Sequence, residues 1–473
     1  MNWKRLVGGG IATLLGGALA AHAQPPSLLS QTPAPPPANV QPALPDTGAA
    51  SVTPTYGNGS YDGAMDGATA TAPQTERTSG LESHSLPGEL IEDVAGHAPG
   101  VRLGPTPVED VRFLMDGLGL ANLFGNSGIR AFGWVEGGYT GVSGRSGLLA
   151  TQPRQNRFGD EFLLNQIGLV LQKPLSQTEF DIGFNIRYFA GADAALGQPK
   201  GGIGQNNTDP RFNHDFRDLY LSAHLPILTE GGVNLKVGRM NTIIGYNGFL
   251  APYRPFYSSD YQFFYSQDGA FTGALAQLIV NDRLDIWNGI TMGANTFFVT
   301  RSTHSYCYIG QINYWLQEEK KTRLTASTYC GPDAIFAAPG MNGDFVSMVE
   351  LRVQQDWSDN FTQVVQCNMG WDTNTPVGTG RWYGLYTVGI YHLNAQWDLQ
   401  GRAEWFDDVN GTRTGIATHY SEVTVGVNWH PTRYLEIRPE VRGDFAGKEA
   451  FGGGGIPTTR NQVTGVMSAM VKF

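Results

Sequence analysis

Segments whose two faces disagree recur from about residue 129 to the C-terminus, and they limit this chain's possible folds more than any other feature. In AQWDLQGRAEWF, Trp397, Leu399, Ala403 and Trp405 fall on one side and Gln396, Asp398, Gln400, Arg402 and Glu404 on the other. Likewise Leu435, Ile437 and Val441 oppose Glu436, Arg438, Glu440, Arg442 and Asp444, and Val233, Leu235 and Val237 oppose Asn234 and Lys236. A period of two is that of a β-strand, with alternate side chains on opposite faces. The last such segment, NQVTGVMSAMVKF, sets Val463, Met467, Ala469, Val471 and Phe473 against Thr464, Ser468 and Lys472. Beyond the N-terminus no run of 18 apolar residues occurs, so no transmembrane helix is available. If the chain spans a membrane it does so as a closed barrel, because lipid cannot satisfy an open sheet edge.

The strand-like segments fall at about 129–139, 162–173, 178–188, 216–225, 233–241, 270–280, 284–295, 306–316, 322–330, 344–356, 361–371, 381–393, 395–406, 419–429, 434–445 and 461–473. Their connections alternate in length. Lys173-Pro174, Asn281-Asp282, Glu318 to Lys321, Ser358 to Asn360 and His430 to Thr432 make short turns, while 190–215, 242–269, 331–343, 407–418 and 446–460 are long. Short turns on one side and long loops on the other are the outer-membrane arrangement. Sixteen strands also return the chain to the side on which it began. Aromatic residues gather near segment ends (Phe345 and Trp357, Phe361 and Trp371, Trp397 and Trp405, Tyr306 and Tyr314, Trp429, Tyr434), as two interfacial girdles require. The fold expected is all-β: a transmembrane antiparallel barrel of about 16 strands over 128–473, with a terminal Phe473 that serves as an assembly signal.

Three segments are expected ahead of the barrel. Residues 1–23 read as a signal peptide: Lys4 and Arg5, an apolar Leu6–Leu19, then Ala21-His22-Ala23 before Gln24. Residues 24–104, rich in Pro, Ala and Gly, read as a disordered periplasmic linker. In 105–127, Val108, Val111, Leu114, Met115 and Leu118 are spaced as on a short amphipathic helix that starts near Pro107. That helix either plugs the barrel mouth or lies against its rim. Without Lys4 and Arg5 the chain carries 30 basic and 42 acidic residues, a balance that argues against nucleic acid as a partner.

Charges line the faces opposite the apolar ones: Glu350, Arg352, Asp398, Arg402, Glu404, Arg438, Glu440 and Arg442 are the candidate lumen wall. An Arg or Lys facing mid-bilayer lipid costs about 2–4 kcal/mol, so these side chains are expected inside. A barrel of this size leaves an aqueous channel, suited to small polar solutes or ions. Within the wall, neighbouring opposite charges also have the option of pairing with each other. The segment 242–268 holds nine Phe or Tyr residues together with Arg254, Asp260 and Asp268. Folded inward it would make a constriction from Arg254, Asp260 and Asp268, faced by Lys236 and Arg187; folded outward it would cap the rim or meet a neighbouring subunit.

Cys307, Cys330 and Cys367 have no metal-type spacing. Cys307 and Cys330 lie nearly symmetrically about Glu318-Glu319, which leaves a cross-hairpin disulfide and free thiols both open. No metal or cofactor is expected.

The stretch GIRAFGWVEGGYTG (Gly128–Gly141), RFGDEFLLNQIGLVLQKPL (Arg157–Leu175), FRDLYLSAHLP, VNLKVGRMNTIIGYN and PFYSSDYQFFYS resembles the putative β-barrel porins of the OmpL-like type over 128–473. The resemblance implies an outer-membrane barrel with porin activity and supplies neither catalytic residues nor a substrate. A passive porin is therefore expected, with outer-membrane lipid, the barrel-assembly machinery and small solutes as partners, and homo-oligomers open. Two other functions were weighed: a non-conducting adhesin or structural anchor, and an outer-membrane enzyme using His214-Asp215, His304, or His419 with Glu422.

Overall fold

The computed structural model describes residues 110–473, apart from 112, 121–123, 125–126, 145, 152–153, 205, 208, 268, 302–305 and 333–344. The signal-peptide and linker assignments, parts of the expected helix segment (105–109, 112, 121–123 and 125–126), His304 and Asp268 therefore lie outside the described residues. Of the expected helix the structure holds Phe113–Gly117, ahead of the first strand.

Sixteen strands form one closed antiparallel ring: β1 (Arg130–Val142), β4 (Glu161–Lys173), β5 (Asp181–Gly191), β6 (Asn213–Leu225), β7 (Val233–Met240), β8 (Phe271–Asn281), β9 (Leu284–Ala294), β10 (Cys307–Trp315), β11 (Thr322–Gly331), β12 (Val346–Ser358), β13 (Phe361–Thr375), β14 (Gly378–Asn394), β15 (Trp397–Asp408), β16 (Thr418–Thr432), β17 (Leu435–Ala446) and β18 (Asn461–Lys472). A two-residue ladder, β2 (Gly147–Leu148) with β3 (Phe158–Gly159), decorates the first loop. Each strand pairs with its sequence neighbour, and β1 closes on β18 with Trp134 opposite Lys472. Phe473 extends that seam by one step: its N–H donates to Gly133 at 2.8 Å and its carbonyl accepts from Gly133 at 2.6 Å.

Alternation decides which face is which. Along β18 every second residue, from Gln462 to Lys472, is buried, and the residues between them are exposed. On β15, Asp398, Gln400, Arg402 and Glu404 point inward, whereas Trp397, Leu399, Ala403 and Trp405 point outward. Charged side chains likewise point inward on β12 and on β15 to β18, whereas β14 turns Trp382, Tyr386, Val388 and Ile390 inward; the outer face is mainly a band of Leu, Val, Met and aromatic residues. Trp357, Trp371, Trp397, Trp405 and Trp429 are exposed near strand ends, and Trp397 stacks on Trp429 at 5.4 Å between centroids.

One end of the barrel carries only short connections, such as 282–283, 359–360, 395–396 and 433–434. The other carries 143–160, 192–212, 241–270, 295–306, 409–417 and 447–460, with one exception at 376–377, where β13 and β14 run on into a tight hairpin. Cys330 stands opposite Tyr308, one place out of register with Cys307. The two thiols therefore point to opposite faces of the wall and are not bridged, which removes the cross-hairpin disulfide.

Candidate functional site

The loop between β7 and β8, residues 241–270, lies inside the ring. Every described residue from 241 to 267 is buried except Pro252 and Pro255, which are half-buried. A loop withdrawn from water must find partners for its backbone amides and carbonyls, and here they are inner-face side chains from strands all round the lumen. Gln311 of β10 donates to the Ile243 carbonyl, and Gln366 of β13 accepts from the Tyr246 amide at 2.9 Å. Gln166 of β4 accepts from the Ala251 amide at 2.9 Å and donates to the Phe249 carbonyl at 3.0 Å. The loop also reaches the far wall: β15 stands eight places round the ring from β7. It forms a septum rather than a flap.

Two carboxylates on that far wall each receive two successive loop amides. Glu440 of β17 accepts from Tyr257 at 2.9 Å and Ser258 at 3.0 Å. Glu404 of β15 accepts from Tyr261 at 2.5 Å and Gln262 at 2.7 Å. Guanidinium groups take the carbonyls. Arg402 donates to the Ser258 carbonyl at 2.8 Å, Arg442 to that of Ser259 at 2.5 Å, and Arg438 to those of Ala251 and Arg254 at 3.0 and 2.9 Å. Charge-assisted bonds of this kind are about twice as strong as neutral ones.

Beside these contacts sits a fully buried ionic knot. Arg254, the loop's central cation, bonds Glu136 of β1 and Asp193, the latter at 3.1 Å. Glu136 uses its other oxygen on Arg438. Asp193 further accepts from Asn165 at 2.8 Å and Gln166 at 2.7 Å. The remaining wall cations also have carboxylates: Arg402 with Glu422 at 2.6 Å, Arg442 with Asp444 at 2.7 Å, and Arg352 with Glu350 at 3.4 Å. These inner-face charges are thus paired with one another.

Rings fill what the charges leave. Phe249 stacks on Phe263 at 6.4 Å and meets Phe189 edge-on at 5.6 Å, while Tyr261 lies against Tyr420 at 5.1 Å. Arg217 caps Phe249 at 4.3 Å and Arg402 caps Phe256 at 4.8 Å. Two wall tryptophans face the loop, each lying over a cross-strand glycine. Trp134 sits opposite Gly168, where a Cβ would come within 2.3 Å of the indole, and Trp382 opposite Gly370, where the distance would be 2.1 Å. Trp382 donates to the Ser266 hydroxyl at 2.9 Å. Burial raises the Tyr257 and Tyr261 phenols well above their usual range. They therefore stay protonated, and donate to Asn165 at 2.7 Å and Asp444 at 2.8 Å.

The residues singled out from sequence divide accordingly. Arg254 reaches Glu136 and Asp193. Asp260 turns back into its own loop, accepting from Phe263 at 2.7 Å and Asn247 at 2.9 Å, and burial raises its carboxyl against the pull of Arg402. Arg187 pairs with Asp218 at 2.7 Å and lies 5.5 Å from the Tyr253 ring; Lys236 lies over Tyr220 and Trp287 at 5.1 and 5.7 Å. Asp398 sits between His392 and His430 near the short-turn end. Sequence reasoning missed Glu136, Asp193, Gln166 and Gln366, which come from elements 61 to 120 positions away from the loop residues they hold. For Glu136, a lone acid amid the apolar and glycine residues of AFGWVEGGYTG was the available signal. The paired histidine sites dissolve: His419 and Glu422 lie three apart on β16 and point to opposite faces, and Asp215 bonds Arg239 at 2.8 Å.

A family model described as putative beta-barrel porin-2, OmpL-like, matches residues 128–473. No curated protein sequence matches the chain. Among solved structures, Salmonella typhi OmpF, in complex with daunomycin, is 11% identical, with 74% of this chain and 99% of that one covered and a TM-score of 0.51. Pseudomonas putida OprB is 10% identical, with 76% and 97% covered and a TM-score of 0.50. At such identities the likeness is one of fold.

Proposed function

This chain belongs to the OmpL-like family of putative β-barrel porins, and from that membership we propose that it forms a water-filled outer-membrane channel for passive diffusion of small polar solutes or ions. The observation that carries the proposal is the inward charged face of β12 and β15 to β18 together with a loop drawn across the lumen and fixed to both sides. Charged, hydrated walls suit solutes that carry their own water or charge, and a septum of fixed geometry sets the size they must have. Arg254 and Asp260 belong to that constriction, with Arg187 and Lys236 on the near wall. The short-turn end faces the periplasm in this proposal, with the N-terminal segment on the same side. Phe473 is the signal read by the assembly machinery, and the bilayer, like-chain neighbours and small solutes complete the partners. No reaction chemistry is assigned.

A non-conducting barrel acting as an anchor or adhesin is the competing reading, favoured by how completely the loop is buried. Reconstitution into a planar bilayer separates the two: stepwise current is expected, and a silent barrel refutes the channel.

A further inference from the structure

A second ionic cluster lies on the inner face near the short-turn end, and a chain of ion pairs links it to the loop. His392 of β14 bonds one oxygen of Asp398 on β15 at 2.6 Å, and His430 of β16 bonds the other at 2.8 Å. The second nitrogen of His430, Nδ1, faces Glu436 of β17 at 3.7 Å, beyond hydrogen-bond distance. Glu436 is held by Lys472 of β18 at 3.0 Å and approached by Arg438 at 3.7 Å. Arg438 in turn bonds Glu136, which bonds the loop's Arg254. Arg433, in the adjoining turn, is the remaining nearby charge and shares with His430, Lys472 and Gln396 a cavity of about 170 Å³. The histidines and the septum are thus linked through Glu436, Arg438 and Glu136, with the two 3.7 Å separations at Glu436 as the loose joints.

We propose that this His–Asp–His cluster is a proton sensor that sets how tightly the loop is docked. The proposal rests on the channel reading above and names a regulation of the same constriction. Its sign follows from donor counting. A carboxylate only accepts, so the His430 nitrogen at Asp398 carries a proton. In neutral His430 the other nitrogen then presents a lone pair to the Glu436 carboxylate, which is unfavourable. Glu436 shifts towards Arg438 and draws the guanidinium away from Glu136 and from the Ala251 and Arg254 carbonyls. Protonated His430 donates to both acids instead. Glu436 is then held by His430 and Lys472, and Arg438 is left to grip the loop. Acid tightens the septum and base loosens it.

The test uses the full chain folded in detergent and in planar bilayers, at about pH 5.5 and pH 8. Conductance or open fraction should rise with pH. Amide exchange in 249–258, corrected for its intrinsic pH dependence, should quicken as well. One proton can move the balance by at most about tenfold per pH unit. His430→Gln should flatten both responses, and Glu436→Gln, which cuts the link without touching a histidine, should do the same. Indifference to pH in the unaltered protein, the opposite sign, or a full response in both variants overturns the proposal. A barrel that is silent at both pH values refutes the channel reading alone, and the exchange data still decide the linkage.

Discussion

Glu136→Gln is the most informative single change to the septum, because it keeps the side chain's shape and removes the charge at the centre of the ionic knot. The carboxylate is fully buried and answers two guanidinium groups at once. Without it Arg254 keeps Asp193 at 3.1 Å, while Arg438 is left with Glu436 at 3.7 Å. Removing one partner of a buried ion pair costs about 3–5 kcal/mol, because the other charge stays desolvated. Glu404, Glu440 and Gln366 still anchor the loop on either side, so the cost falls on local opening of 249–256 rather than on the barrel. At one decade per 1.4 kcal/mol, the open population of that segment rises by about 10² to 10⁴. Hydrogen–deuterium exchange reads this directly as faster exchange at Leu250, Ala251, Tyr253 and Arg254, with β15 to β17 amides unchanged. Unaltered protection of 249–256 would refute the idea that Glu136 pins the loop.

Further predictions concern the wall and its seam. Gly370→Ala forces a Cβ against the Trp382 indole and should lower barrel stability by about 1–3 kcal/mol, seen as a lower urea midpoint in detergent. Phe473→Ser retains the backbone pairing with Gly133 but loses the terminal ring, so less heat-modifiable, folded protein should reach the outer membrane. Barrels that do insert should keep their conductance. Mild oxidation should leave the monomer's non-reducing gel mobility unchanged, since Cys307 and Cys330 point to opposite faces.

All sixteen strands were legible because a barrel wall imposes one alternation on each strand, apolar side chains to lipid and, for the most part, polar ones inward. The rule fails at strand ends. β13 and β14 run through Thr373 to Thr375 and Gly378 to Gly380, polar residues that look like loop, so the hairpin at 376–377 was not visible. The inward loop was one of two readings suggested by its ring content, since nine rings are poorly placed in water. Its anchors were not readable, because Glu136, Gln166 and Glu440 are local to the loop only once the ring has closed. The cysteine pairing was settled by parity: a shift of one residue in the hairpin register exchanges the faces.

The most direct measurement is the ratio of single-channel conductances between the unaltered chain and a variant in which residues 243–266 are replaced by a short Gly-Ser turn. Current steps from the unaltered chain, and clearly larger steps from the variant, are the predicted result. Equal conductance in the two would show that the loop is not the constriction, and no current from either would show that the barrel is not a channel.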